Sequence, residues 1–266
     1  MQRRAVGAGR YFFAAAMIGL AVLAFLYDDF ALVWQKVPAW VPGYGVLAYG
    51  CALVMLGGGA GLLFAATAAP AARLLLIYTL LWLVLLRVPA VLIAPARVIS
   101  WSGSAETAVI VAGAWTLCAQ WAKPSRMLAF AGGATGLRGA RILLGAALIP
   151  CGVAHFAYAA DTAALVPAWL PAHLGWAYLT GAGFIAAGVA ILSGGWARLA
   201  ALLATFMMAG FTLLVWLPGV AASPHSRLQW TALFISLAIT AGAWVVADAY
   251  ERAPGLVRQR TSPASA

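Results

Sequence analysis

The chain has 266 residues, of which 65% are hydrophobic and only 8% charged, with a formal net charge of +10. A water-soluble domain carries about 25% charged residues, so this chain cannot cover a water-facing surface and reads as a polytopic membrane protein. The positive charge does not mark a nucleic-acid binder, because the bases fall in short segments between apolar runs and form no patch beside exposed aromatics.

A basic start with Arg3, Arg4 and Arg10 leads into the first apolar run, residues 11–27. Such a start can be a secretory signal, but the run has a twin deep in the chain and is therefore expected to stay as the first helix. Further runs follow at 45–67, 71–94, 103–121, 139–159, 173–193, 196–218 and 228–249. Each approaches the ~20 residues that cross the hydrocarbon core. Lipid offers no partner to a backbone N–H or C=O, so runs of this length must be helices. Pro89 and Pro150 lie inside helix patterns and predict local kinks. Residues 122–138 read as a linker, with Pro124 and Gly132-Gly133, and residues 251–266 as a disordered polar tail. Cys51, Cys118 and Cys151 sit inside apolar runs without a C-x-x-C pair, as unreactive buried thiols do.

One phrase occurs twice. Val37-Pro38-Ala39-Trp40-Val41-Pro42 returns as Val166-Pro167-Ala168-Trp169-Leu170-Pro171. The same spacing joins Ala48-Tyr49 to Ala177-Tyr178, Pro95 to Pro224, Trp101 to Trp230, and Ala112–Trp115 to Ala241–Trp244. Ala15–Ile18 likewise lines up with Ala146–Ile149. The expected fold is all-α: eight transmembrane helices built as two parallel four-helix repeats, residues 1–121 and 139–250. With the N-terminus inside, twelve Lys and Arg residues fall on the inner side. Only Lys36, Arg87, Arg97 and Arg227 fall outside, so both termini are expected in the cytoplasm.

Four residues stand out as a candidate site. Arg87 is the most enclosed charge, and Glu106 lies about a turn inside the next helix. The two are expected to pair, since an unpaired charge in a membrane helix costs a few kcal/mol or more. His155 comes late in the fifth helix. Trp169 stands in the second Pro-Ala-Trp segment, which is extended because prolines bracket it. All four are expected in the outer half of the bundle, around an outward-opening pocket that contains His155. Gly57 and Gly61 form a G-x-x-x-G step, and Gly181, Gly183 and Gly188 lie in the twin helix, all expected at close helix contacts. His155, His173, His225 and Asp161 lack ligand spacing, so no metal is expected, and no cofactor or catalytic fingerprint occurs.

Gly152-Val153-Ala154-His155-Phe156, the Val166–Pro171 phrase and Ala177-Tyr178-Leu179-Thr180-Gly181 together resemble the DoxX-like family of four-helix membrane proteins. The resemblance covers about residues 139–249. The first half resembles a diverged copy, with Leu23-Ala24-Phe25 where the family would show the histidine. The resemblance implies a bacterial inner membrane protein associated with a membrane redox or envelope system. Its implied partners are a quinone or lipid ligand, or a redox partner subunit. The competing expectation is a small-molecule transporter, since repeated bundles often move substrates at their interface. Few polar residues at mid-membrane depth speak against it.

Overall fold

The computed structural model of the protein describes residues 7–121 and 126–252. Among them there are long helices and no strand. We label these α1 (Gly9–Tyr27), α2 (Tyr44–Leu63), α3 (Ala68–Ile93), α4 (Val98–Trp121), α5 (Gly133–Ala157), α6 (His173–Ser193), α7 (Ala197–Ala222) and α8 (Arg227–Arg252). Seven of the eight are long and apolar enough to cross a membrane, consistent with a polytopic membrane protein.

The exception is α4, the expected fourth crossing. Its 24 residues would span about 36 Å, but Ser100, Ser102, Ser104, Glu106 and Gln120 dilute its apolar character. It tolerates them because other helices enclose it. Its hydroxyls bond back to the carbonyl one turn earlier: Ser104 to Ser100 at 2.7 Å, Thr107 to Gly103 at 3.1 Å and Thr116 to Ala112 at 2.9 Å. A hydroxyl satisfied in this way needs no water.

Two five-helix rings share one wall. Neighbour by neighbour, α1–α2–α3–α4–α8 close the first ring and α5–α6–α7–α8–α4 the second. The wall is the α4–α8 pair, and its crossing point is Gly113 on Gly242. A Cβ on Gly113 would stand 2.5 Å from the Gly242 Cα. Between α5 and α6, Gly152 meets Gly181 and Gly145 meets Gly188 just as closely. Small residues serve here as they do in lipid generally, letting backbones approach where no hydrophobic drive joins helices. In α2 the tightly packed glycines are Gly58, against Leu75, Gly59, against Ala14 and Ile18, and Gly61, against Ala71. Gly57 has open space, so of the G-x-x-x-G step only Gly61 makes a close contact.

Several bounds recur. In α3, Ala68–Trp82 passes through a π turn, Leu83–Arg87, into Val88–Ile93. In α7, Ala197–Phe211 passes through Thr212–Trp216 into Leu217–Ala222, each bound 129 residues later. Pro89 and Pro218 explain the turns. Proline has no N–H for the carbonyl four residues back, and its ring crowds that carbonyl. The ladder widens instead, with Val88 N–H on Leu83 O and Leu217 N–H on Thr212 O. The connections correspond too: Trp101 Nε1 donates to Pro95 O at 2.9 Å and Trp230 Nε1 to Pro224 O at 2.8 Å. Pro150, by contrast, sits inside a continuous helix.

The linker expected at 122–138 is shorter than that span. A 3-10 turn, Arg126–Ala131, precedes α5, which begins at Gly133, so Arg138 lies within the helix. Residues 122–125 and the tail beyond Arg252 lie outside the described residues.

Candidate functional site

The segment after α1 does not behave as a surface loop. Asp28 ends the helix in the left-handed region, at φ 51°, and the chain then folds inward. Phe30, Ala31, Trp34 and Gln35 are all buried. Gln35 Oε1 accepts from Ala31 N–H at 3.0 Å, and its Nε2 donates to the Tyr78 hydroxyl at 2.5 Å. Trp34 packs edge-on to Tyr78, and Phe30 edge-on to Trp82. This segment therefore stoppers the first ring with its own side chains.

Two arginines hold the stopper. Arg87 donates from Nη2 to Trp34 O at 2.8 Å and to Val33 O at 3.2 Å. Arg227, at the start of α8, pairs with Asp29 at 3.0 Å, donates to Phe30 O at 2.8 Å and lies over the Tyr27 ring. Asp29 Oδ1 also accepts from the Tyr44 hydroxyl at 2.6 Å and from Phe30 N–H. Desolvation opposes ionisation of Asp29, but the Tyr44, Arg227 and Phe30 hydrogen bonds outweigh it and hold the carboxyl below its ordinary range.

This arrangement corrects one expectation. Arg87 is satisfied by main-chain carbonyls, and no ion pair joins it to Glu106 among the described residues. The two charges still attract, at longer range. Replacing Glu106 would therefore not strand Arg87.

The second ring differs from the first where it matters. Position by position along the shared register, Trp34, Tyr78 and Trp82 give way to Ala163, Met207 and Phe211, and the chain after α5 forms a short helix, Ala159–Ala164, with Asp161 exposed. His155 packs with Phe184 and Phe211 in a triangle of rings, its centroid 5.1 and 6.0 Å from theirs and theirs 6.0 Å apart. Its Nδ1 is 2.9 Å from Cys151 O. A carbonyl only accepts, so Nδ1 carries the proton and Nε2 keeps an acceptor lone pair. One turn below, Cys151 stands within reach of the Glu106 charge. Glu106 is an exposed residue of an otherwise mostly buried helix. Of the four residues singled out from the sequence, Arg87 is turned to the stopper, His155 packs against Phe184 and Phe211, and Trp169 is 70% exposed.

One crevice went unforeseen. Between α1 and α8 a crevice of about 400 Å³ opens to the outside of the rings. Gly19, Leu23 and the stacked Trp230–Phe234 pair form its apolar wall, with Tyr27 and His225 along it. Gly19 makes the room: a Cβ there would strike the Phe234 ring at 2.3 Å. The signal in the sequence was a difference between the halves, since the aligned positions hold Pro150 for Gly19 and Ala105 for Phe234. Compared with known proteins, the chain matches no family model, no curated protein and no solved structure.

Proposed function

We propose that this chain is a non-enzymatic bacterial inner-membrane protein of the DoxX-like type that binds a lipophilic small molecule, a quinone or a lipid, and so supports a membrane redox or envelope system. The observation that carries the reading is the α1–α8 crevice. Its volume of about 400 Å³ falls within the ~300–1,000 Å³ of small-molecule sites, and apolar walls with a few polar groups are what such sites offer. It faces outward from the helix rings, where a lipophile arrives from the bilayer without crossing water.

In the same reading the chain crosses the membrane eight times, as two four-helix repeats with both termini in the cytoplasm. The matching bounds of α3 and α7 support the repeats, and the twelve-to-four bias of basic residues supports the orientation. In α4, burial of most of the helix substitutes for apolarity.

The test is native mass spectrometry of the detergent-solubilised chain. A bound quinone or lipid should survive mild activation. Leu26→Trp, at a crevice residue that is 70% exposed, should displace it without disturbing the core. A chain that carries no lipophile, or the same one after Leu26→Trp, would overturn the assignment.

A further inference from the structure

The α1–α8 crevice is a slot with two different ends. Its outer end is the Tyr27 ring, with the Arg227 guanidinium 5.0 Å from the ring centroid. Its inner end is Gly19, where the Phe234 ring takes the place of a side chain. Gly19 and Tyr27 are eight residues apart on one helix, so the slot runs about 12 Å along the helix axes. Val22, Leu23 and Leu26 line one side, and Trp230 and Phe234 the other. One leaflet is half of the ~30 Å hydrocarbon core. In the eight-crossing reading the slot therefore covers most of the outer leaflet's depth and lies parallel to its lipid chains. The polar groups gather at the outer end. Tyr27 is the last residue of α1, and His225 comes two residues before α8. A tyrosine at such a helix end stands at headgroup depth. No lining residue carries a fixed charge, and Arg227, at the outer end, is already paired with Asp29 at 3.0 Å.

We propose that the crevice is a fixed site for one acyl chain of an outer-leaflet lipid, which rests on the crevice being the ligand site. The chain lies lengthwise between Val22 and Leu26 on α1 and the Trp230–Phe234 pair on α8. The Tyr27 hydroxyl and the His225 imidazole donate to the ester carbonyl at its head. About 400 Å³ spread over about 12 Å is a mean section of about 33 Å². That admits an unbranched chain lengthwise and not a substituted ring set across it, which favours an acyl lipid over a quinone head. A buried charge would find no counter-charge in the lining, so the phosphate stays beyond the ester, in water. The site thus reads chain and ester, not headgroup charge. The other half of the molecule has no such slot, because Pro150 stands for Gly19 and Ala105 for Phe234.

The experiment is native mass spectrometry of the full chain after exchange in detergent with equal amounts of three probes: dimyristoyl phosphatidylcholine, dimyristoyl phosphatidylglycerol and decylubiquinone. The chain should retain one phospholipid, the zwitterionic and the anionic one to about the same extent, and Leu26→Trp should remove it. Tyr27→Phe keeps the ring under Arg227 and removes only the hydroxyl. It should weaken retention by roughly 2- to 10-fold, the worth of one hydrogen bond. Decylubiquinone retained in place of phospholipid overturns the acyl assignment and leaves the crevice reading standing. No lipophile retained, or the same one after Leu26→Trp, overturns both. A preference of roughly tenfold or more for the anionic lipid overturns the indifference to charge, and unchanged retention in Tyr27→Phe overturns the carbonyl contact. Should Leu26→Trp not be recovered folded, the wild-type chain decides. Phosphatidylcholine carrying a photoreactive diazirine at mid-chain should label Val22 or Leu26, and labelling confined to other helices overturns the site.

Discussion

At the scale of single residues, Asp29 sets a pH dependence that can be derived. Its carboxyl is held below the ordinary range in the folded chain. The group therefore stabilises the fold fully above its unfolded value, about 4. That contribution is lost as pH falls through the lower folded value. The side chains of Asp29 and Arg227 are 31% and 22% exposed, so the pair is worth on the order of 1 kcal/mol. Asp29→Asn should lower the melting temperature of the detergent-solubilised chain at pH 6 by a few degrees. The gap to wild type should narrow as the pH falls below about 4, and a gap independent of pH would refute the account. Arg227→Met should produce a deficit of the same sign and add little when combined with Asp29→Asn. None of this pairing was legible in the sequence, where Asp29 and Arg227 lie 198 residues apart. Charges near helix ends can be assigned to a side of the membrane from sequence, but their partners depend on which helices become neighbours.

Among elements, the helices themselves were legible, because apolar run length alone forces them. Their ends were less so. α4 starts at Val98, not 103, since Ser100, Ser102 and Ser104 look like loop until enclosing helices and hydroxyl back-bonding make them tolerable. Pro89 announced a disturbance, and the structure resolves it as a π turn. Which glycines pack was also hidden. Spacing favoured Gly57 and Gly61, whereas the neighbouring helices select Gly58, Gly59 and Gly61 and leave Gly57 open. This yields a paired prediction. Gly113→Ala forces a Cβ against the α8 backbone and should cost about 1–3 kcal/mol, as overpacking does. Gly57→Ala meets nothing within 4 Å and should be neutral or stabilise by up to about 1 kcal/mol, because glycine is a poor helix residue. Thermal melting of the two variants side by side checks both, and equal effects would contradict the packing described.

On the scale of the whole molecule, the neighbours of α1 are α2 and α8, and those of α5 are α6 and α4. Each half therefore borrows a wall from the other, an exchange that no periodicity in the sequence could announce. It has a consequence for how the chain is made. Tyr27 leaves the ribosome 200 residues before Arg227, the first residue of α8. At about 5–20 residues per second, α1 waits roughly 10–40 s for its permanent neighbour. During that interval Gly9, Gly19 and Phe12, which meet α8 in the finished fold, face whatever the insertion machinery or the lipid provides. A chain stopped after Trp121 should be degraded when expressed alone. It should accumulate when residues 126–266 are supplied as a second polypeptide, since the missing wall then arrives from outside. Stable accumulation of the lone first half would mean that the exchange of walls is dispensable. Birth order and neighbourhood are thus at odds in this protein, and its earliest helix is among the last to be finished.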